Sequence, residues 1–251
     1  VNDGDMSFIS SDDEDFRWID DYANGRIEVG LDTGDETLDK YFRYKKEFTI
    51  INGHSNVGKT TMALYMMVNS AVRHGWKWVV YSSENRTASL KMTLMQFAVN
   101  RPIDAMTYDQ RKEAYKWVNE HFTVISNKQV YSYSDIIVFL DGLPIAPFAE
   151  DTEGGGKFVN RSDCFITVHR RVQHPDFNER KTTEWHIRKV RDVETGGEPT
   201  ALEDPIRFTI NTSRTGFRLN HTQKELFQPI GLQFKEYKVF NLSSNESFLQ
   251  D

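Results

Sequence analysis

The order of apolar and polar positions divides the chain into a few readable elements. Residues 48–52 (FTIIN) form a short apolar, β-branched run that predicts a strand. A Gly-rich stretch follows, and the apolar residues 62–72 (MALYMMVNSAV) then predict a helix. Residues 76–82 (WKWVVYS) read as a second, buried strand, with another helix expected from near Arg86. Residues 108–121 (YDQRKEAYKWVNEH) predict a helix introduced by Thr107, with Gln110 three residues on as a capping box. Its Tyr115, Trp117 and Val118 are expected in the core rather than as a stacking platform. The run 136–140 (IIVFL) leads into Asp141 and reads as a strand ending in an acid or, through Gly142, Leu143 and Pro144, as the approach to a turn. From His221 onward aromatics are scattered without a motif, and the chain shows no internal repeat.

Length and composition narrow the class. The 251 residues suffice for one large domain or two small ones with a well-buried core. No apolar run approaches the ~18 residues of a membrane span, the mean hydropathy is −0.60, and no basic-then-apolar leader opens the sequence. A soluble, cytoplasmic protein is the expectation. The single cysteine, Cys164, excludes an intramolecular disulfide framework and a Cys-rich zinc site.

Net charge is −6, which at first argues against a nucleic-acid partner. The distribution reverses that inference. Residues 1–24 carry a net −7 and read as a mobile acidic tail or an ordered arm on a neighbouring subunit, leaving the rest of the chain at +1. Residues 154–191 carry nine Lys or Arg against four acids, a local +5. A charge run is ordinarily a solvated face, so a motif must give this one a role.

Between the first strand and the first helix stands Gly53-His54-Ser55-Asn56-Val57-Gly58-Lys59-Thr60, followed by Thr61. Strand, Gly-rich loop and helix in that order make a P-loop. Gly53 and Gly58 let the backbone curl so that successive N–H groups and the helix N-terminus point at a phosphate. Lys59 is placed for the β- and γ-oxygens, and the Thr60 hydroxyl for Mg²⁺. Glu84 lies just past the second strand, where a parallel sheet gathers its ligands, and could polarise an attacking water. Alternatively it is a surface acid capping the next helix. His169, His174 and His186 carry no acidic or Cys partner at ligand spacing, which argues against a metal site.

The opening GLDTGDETLDKYF, the GHSNVGKTT loop and the strand ending YSSEN together resemble the ATPase domain of ring-shaped replicative helicases, the DnaB and Twinkle group with their phage relatives. Further on, EGGGKF and DCFITVHR look like that family's DNA-facing loop and the strand after it, and WHIRKVR followed by ETGG resembles its strand ending in Lys-x-Arg. The resemblance spans roughly residues 25–220, between the acidic residues 1–24 and an unassigned extension, 221–251. It implies a RecA-like α/β fold, a mainly parallel sheet flanked by helices, and a homo-oligomeric, hexameric ring. That ring would couple ATP and Mg²⁺ to movement on single-stranded DNA beside other replisome proteins, in the cytoplasm of a bacterial host if phage-encoded. Glu84 becomes the catalytic glutamate. Arg191 becomes the finger that reaches a neighbour's γ-phosphate and Lys189 its companion, where the bland alternative is two charges on an edge strand. Gly154, Gly155, Gly156 and Lys157 become the DNA loop, with Arg161 a further phosphate contact, against an ordinary flexible turn.

One part of the pattern does not fit. The resembled family places a Walker B strand, a helix and a strand with a polar γ-phosphate sensor before the Gly-rich loop, yet only eleven residues separate Asp141 from Glu153. The expectation is that the sequence omits a segment of the protein near Phe139 and Leu140. A natural deletion would instead leave a nucleotide binder with crippled hydrolysis, and an intact mass of 29.2 kDa would exclude the omission. Two other functions stay open: an assembly or loader module that keeps ATP as a structural ligand, and a recombinase-like strand-exchange ATPase.

Overall fold

The computed structural model describes residues 12–27, 29–128, 131–141 and 162–232. Its strands are β1 (Thr49–Asn52), β2 (Trp78–Val80), β3 (Phe122–Val124), β4 (Cys164–His169), β5 (Thr182–Val190), β6 (Ile206–Ile210) and β7 (Phe217–Leu219). The longer helices are α1 (Asp12–Ala23), α2 (Lys59–His74), α3 (Thr87–Val99), α4 (Tyr108–His121) and α5 (Tyr133–Asp141).

The strands form two sheets, one of order β1-β4-β5-β6-β7 and one pairing β2 with β3. Both pairs nearest the P-loop and Glu84, β1 with β4 and β2 with β3, run parallel, while β5, β6 and β7 continue the larger sheet antiparallel. Register places Thr49 beside Cys164 and Asn52 beside Thr167. Among the described residues β1 and β2 are both edge strands, although α2 connects them.

The two sheets share one apolar cluster, in which α2 and α3 carry Met62, Tyr65, Leu94 and Phe97 against Phe122, Ile166, Trp185 and Phe208. Strand β4 shows the period of two directly: Cys164, Ile166 and Val168 are buried, and Phe165, Thr167 and His169 are partly open. Helix α2 ends at Gly75, whose φ of 69° lets its N–H reach the Ala71 and Ser70 carbonyls. At α4 the capping box forms as its sequence predicts, with Thr107 accepting from the Gln110 N–H and Gln110 accepting from the Thr107 N–H.

Three local findings revise the sequence reading. The second strand is shorter than residues 76–82, covering Trp78–Val80. The run ending in Asp141 is helix α5, so Asp141 does not stand at the end of a strand and takes no Walker B position. From His221 to residue 232 the chain is built into the domain: Leu226 and Phe227 are buried, and the Leu226 N–H meets the Tyr65 hydroxyl. In the acidic segment α1 is helical and holds Phe16, Trp18 and Ile19 exposed. No described helix is long and apolar enough to cross a membrane.

Candidate nucleotide site

The site begins where β1 stops. Gly53 follows with φ 155°, and a Cβ there would lie 2.3 Å from the Val168 carbonyl oxygen on β4, so only glycine fits against the neighbouring strand. Asn56 (φ 64°) and Gly58 (φ 93°) complete the curl, and α2 starts at Lys59. The Asn52 side chain accepts from the Gly53 N–H at 2.6 Å, and Val57 is buried beneath the loop. Lys59 folds back over the loop: its Nζ donates to the Gly53 and His54 carbonyls at 2.8 and 2.6 Å. The sequence thus places a helix N-terminus, loop amides and an ammonium at one point, which is the chemistry of an oxyanion cradle. His54, Ser55 and Thr60 are exposed at its rim, and Thr61 is half-buried on the first turn of α2.

Arg170, a residue the sequence reading left without a role, joins this loop. It follows β4, the strand parallel to β1, and its Nη2 donates to the Asn56 carbonyl at 3.1 Å. Its Nε is buried without a hydrogen-bond partner. Burial, with Arg214 nearby, holds its guanidinium below the usual arginine range. A partly buried cation beside a glycine-rich loop favours an anion as its partner. The available signal was its place one residue past the carboxyl end of an apolar strand, where α/β sheets collect ligands.

Glu84 stands exposed in the turn after β2, as its sequence position predicts. Ser82 Oγ accepts from the Asn85 N–H and Nδ2, and Asn127 Nδ2 donates to the Ser82 and Asn85 carbonyls, tying this turn to the one after β3. Residue Arg86, and not Glu84, is the N-cap of α3, and its side chain makes no capping bond.

Lys189 and Arg191 lie at the far end of the larger sheet. Lys189 Nζ donates to the Ser162 carbonyl at 2.7 Å, and Arg191 Nη1 pairs with Asp163 at 2.6 Å. Val190 sits beside Cys164, which sits beside Thr49, the first residue of β1. About 13 Å of strand therefore separates that row from Gly53. Gly154, Gly155, Gly156, Lys157 and Arg161 lie outside the described residues.

Two of the three histidines, His169 and His186, have an acid nearby. Glu184, buried on β5, accepts from His169 Nδ1 at 3.0 Å and lies 3.9 Å from His186 Nε2. The His169 contact runs across strands, whereas Glu184 and His186 lie two residues apart on β5. Among the described residues no group of three or more His, Cys, Asp or Glu is arranged to hold a metal ion.

Comparison with known proteins agrees with this fold. No sequence-family profile matches the chain. A Twinkle homologue of chloroplasts and mitochondria from Arabidopsis thaliana is 28% identical over 105 residues, a match covering 38% of this chain and 15% of that protein. Among solved structures, the ATPase domain of a DnaB-like helicase superposes with a TM-score of 0.58 at 13% identity, over 86% of this chain and 99% of the other. A DnaB-like replicative helicase, solved to study its interactions with primase, gives 0.53 at 12% identity over 83% of this chain and 66% of the other. A KaiC-like protein from Pyrococcus horikoshii gives 0.50 at 13% identity over 77% and 99%. The chain therefore has a RecA-like α/β fold, and it resembles the DnaB and Twinkle group in both fold and partial sequence.

Proposed function

We propose that this chain is the ATP-hydrolysing motor domain of a replicative DNA helicase, working as a hexameric ring that translocates on single-stranded DNA. The separation of its charged groups is the observation that supports this most. Lys59 and the loop amides stand at the carboxyl end of β1, and Lys189 and Arg191 stand at the opposite end of the same sheet. An arginine so placed serves a neighbouring subunit's phosphate and not its own, which makes turnover depend on assembly.

The residues present fit a nucleotide with Mg²⁺. Gly53 to Thr61 supply backbone donors, the Lys59 ammonium and the Thr60 hydroxyl, while Arg170 offers a buried donor in need of an acceptor. Magnesium, when bound, would neutralise charge on the phosphates. Lys59 would exchange its two carbonyl partners for phosphate oxygens, which a flexible ammonium does without moving the backbone. Glu84, held on a turn braced from two sides, would orient and deprotonate the attacking water. The loop at 154–157 is proposed to hold the DNA backbone without reading sequence.

Steady-state ATPase with and without single-stranded DNA tests the proposal. DNA-stimulated turnover that disappears in Lys59→Ala and Glu84→Gln supports it, and unstimulated, mutation-insensitive hydrolysis overturns it. Closed rings in negative-stain images with a non-hydrolysable ATP analogue and DNA would separate it from a strand-exchange filament.

A second reading is an ATP-binding assembly or loader module with little hydrolysis. Two features favour it: no acidic side chain among the described residues bonds to the P-loop, and β1 and β2 lie in separate sheets. Tight nucleotide binding without turnover, in a protein of intact mass 29.2 kDa, would select this reading.

A further inference from the structure

Strand β5 changes face before it ends. The neighbours Phe165 and Ile166 on β4 pair with Lys189 and Ile187, so Arg188 is an extra residue bulged out of β5. Ahead of the bulge, Trp185 and Ile187 are buried in the core. A regular strand would send Lys189 and Arg191 after them, because alternate residues share a face. The bulge reverses that order. Val190 is buried beside Cys164, and the Arg191 side chain, just past the strand, is 55% exposed.

Both cations are then held by the two residues ahead of β4. Lys189 Nζ donates to the Ser162 carbonyl at 2.7 Å. Asp163 holds Arg191 twice: its carbonyl accepts from the Arg191 N–H at 2.8 Å, and its Oδ1 pairs with Nη1 at 2.6 Å. The carboxylate is itself fixed from the other side. Its Oδ2 accepts from the Phe48 N–H at 3.0 Å, and the Asp163 N–H donates to the Phe48 carbonyl at 2.9 Å, immediately before β1. The Asp163 side chain is only 22% exposed, so it is the anchor of the pair and the guanidinium the arm. Asp192, the next residue after Arg191, is paired with Lys45 at 2.6 Å. A long arginine side chain has much rotamer freedom to lose, and a carboxylate on a braced backbone orders it before any phosphate arrives.

We infer that Asp163 is the positioning residue of Arg191, aiming its guanidinium at a phosphate held by a second copy of this chain. The assignment rests on the proposed finger role of Arg191. Asp163 stands at the opposite end of β1 from its own P-loop and acts only through the guanidinium.

The test is a double-mutant cycle on DNA-stimulated ATPase of the full chain, with labelled ADP binding and thermal melting in parallel. Asp163→Asn keeps an oxygen for the Phe48 N–H and removes the charge that holds Arg191. It is expected to lower kcat about tenfold with KM for ATP within about twofold, and to bind ADP like wild type. In an Arg191→Ala background the same substitution should change the residual turnover by less than about twofold, because the group it acts through is gone. If Asp163→Asn fails to fold, Asp163→Glu carries the test: it keeps the charge, displaces the guanidinium by one methylene, and should likewise lower kcat only while Arg191 is present. Wild-type turnover in Asp163→Asn, where Arg191→Ala is impaired, overturns the positioning role and leaves the finger standing. A loss that persists in the Arg191→Ala background, or that comes with weakened ADP binding, makes Asp163 a brace of the sheet and also overturns it. Full turnover in Arg191→Ala, or none in the wild type, removes the finger reading and this inference with it.

Discussion

Gly53 is the residue on which the proposed site turns, because it satisfies a tertiary constraint and a chemical one together. It must lie flat against the Val168 carbonyl while beginning the curl that exposes the loop amides. Gly53→Ala is expected to destabilise the fold by about 2–3 kcal/mol and to abolish labelled-ADP binding; a variant that melts and binds like wild type would show that the loop relaxes freely. Glu184 makes a pH prediction. Burial opposes its charge, but hydrogen bonds from His169 and Arg207 outweigh burial and hold its carboxyl below the usual glutamate range. A depressed folded-state value means the stabilisation is complete above about pH 4.3, the unfolded value, and is lost as pH falls through the lower folded value. Glu184→Gln should cost about 2 kcal/mol near neutral pH and flatten the acid limb of a denaturation series, whereas an unchanged acid limb would place that pH dependence on other carboxylates. The P-loop residues were legible in sequence because their spacing is local chemistry. Arg170 was not, since it reaches Asn56 only through the pairing of β4 with β1, 114 residues away in the chain.

Elements followed the same division between local and non-local information. Helix α4 announced itself through Thr107 and Gln110, and both hydrogen bonds of its box form. Thr107→Ala should therefore cost about 1 kcal/mol, read as a lowered midpoint in urea at unchanged slope, and a midpoint within error of wild type would mean the helix start is held by packing alone. The run 136–140 was ambiguous for a physical reason: five consecutive apolar residues carry neither the period of two nor that of 3.6. It resolved as α5, and the acid after it lost the metal-ligating position that a strand end would have given. Strands β5, β6 and β7 pair antiparallel through contacts that no window of sequence contains. His169 meets Glu184 only through the pairing of β4 with β5, which is why that histidine looked partnerless along the chain.

At the scale of the whole molecule, one domain carries both halves of a proposed catalytic site but holds them about 13 Å of strand apart. Closure of the site in a ring makes a sharp statement about mixtures. Lys59→Ala spoils the loop and leaves the finger intact, and Arg191→Ala does the opposite. Each homo-oligomer should bind DNA yet hydrolyse ATP poorly. In an equimolar, freely exchanging mixture, an interface works when the loop comes from an Arg191→Ala subunit and the finger from a Lys59→Ala subunit. Random assembly yields about one such interface in four. ATPase activity in the mixture should then rise to about a quarter of wild type if interfaces act independently, and to less if they must fire in sequence. A mixture as inactive as its parents, although native mass measurements show mixed oligomers, would remove Arg191 from the shared site. Full activity of Arg191→Ala by itself would do so more directly, and would return the +5 stretch around it to the status of a solvated face.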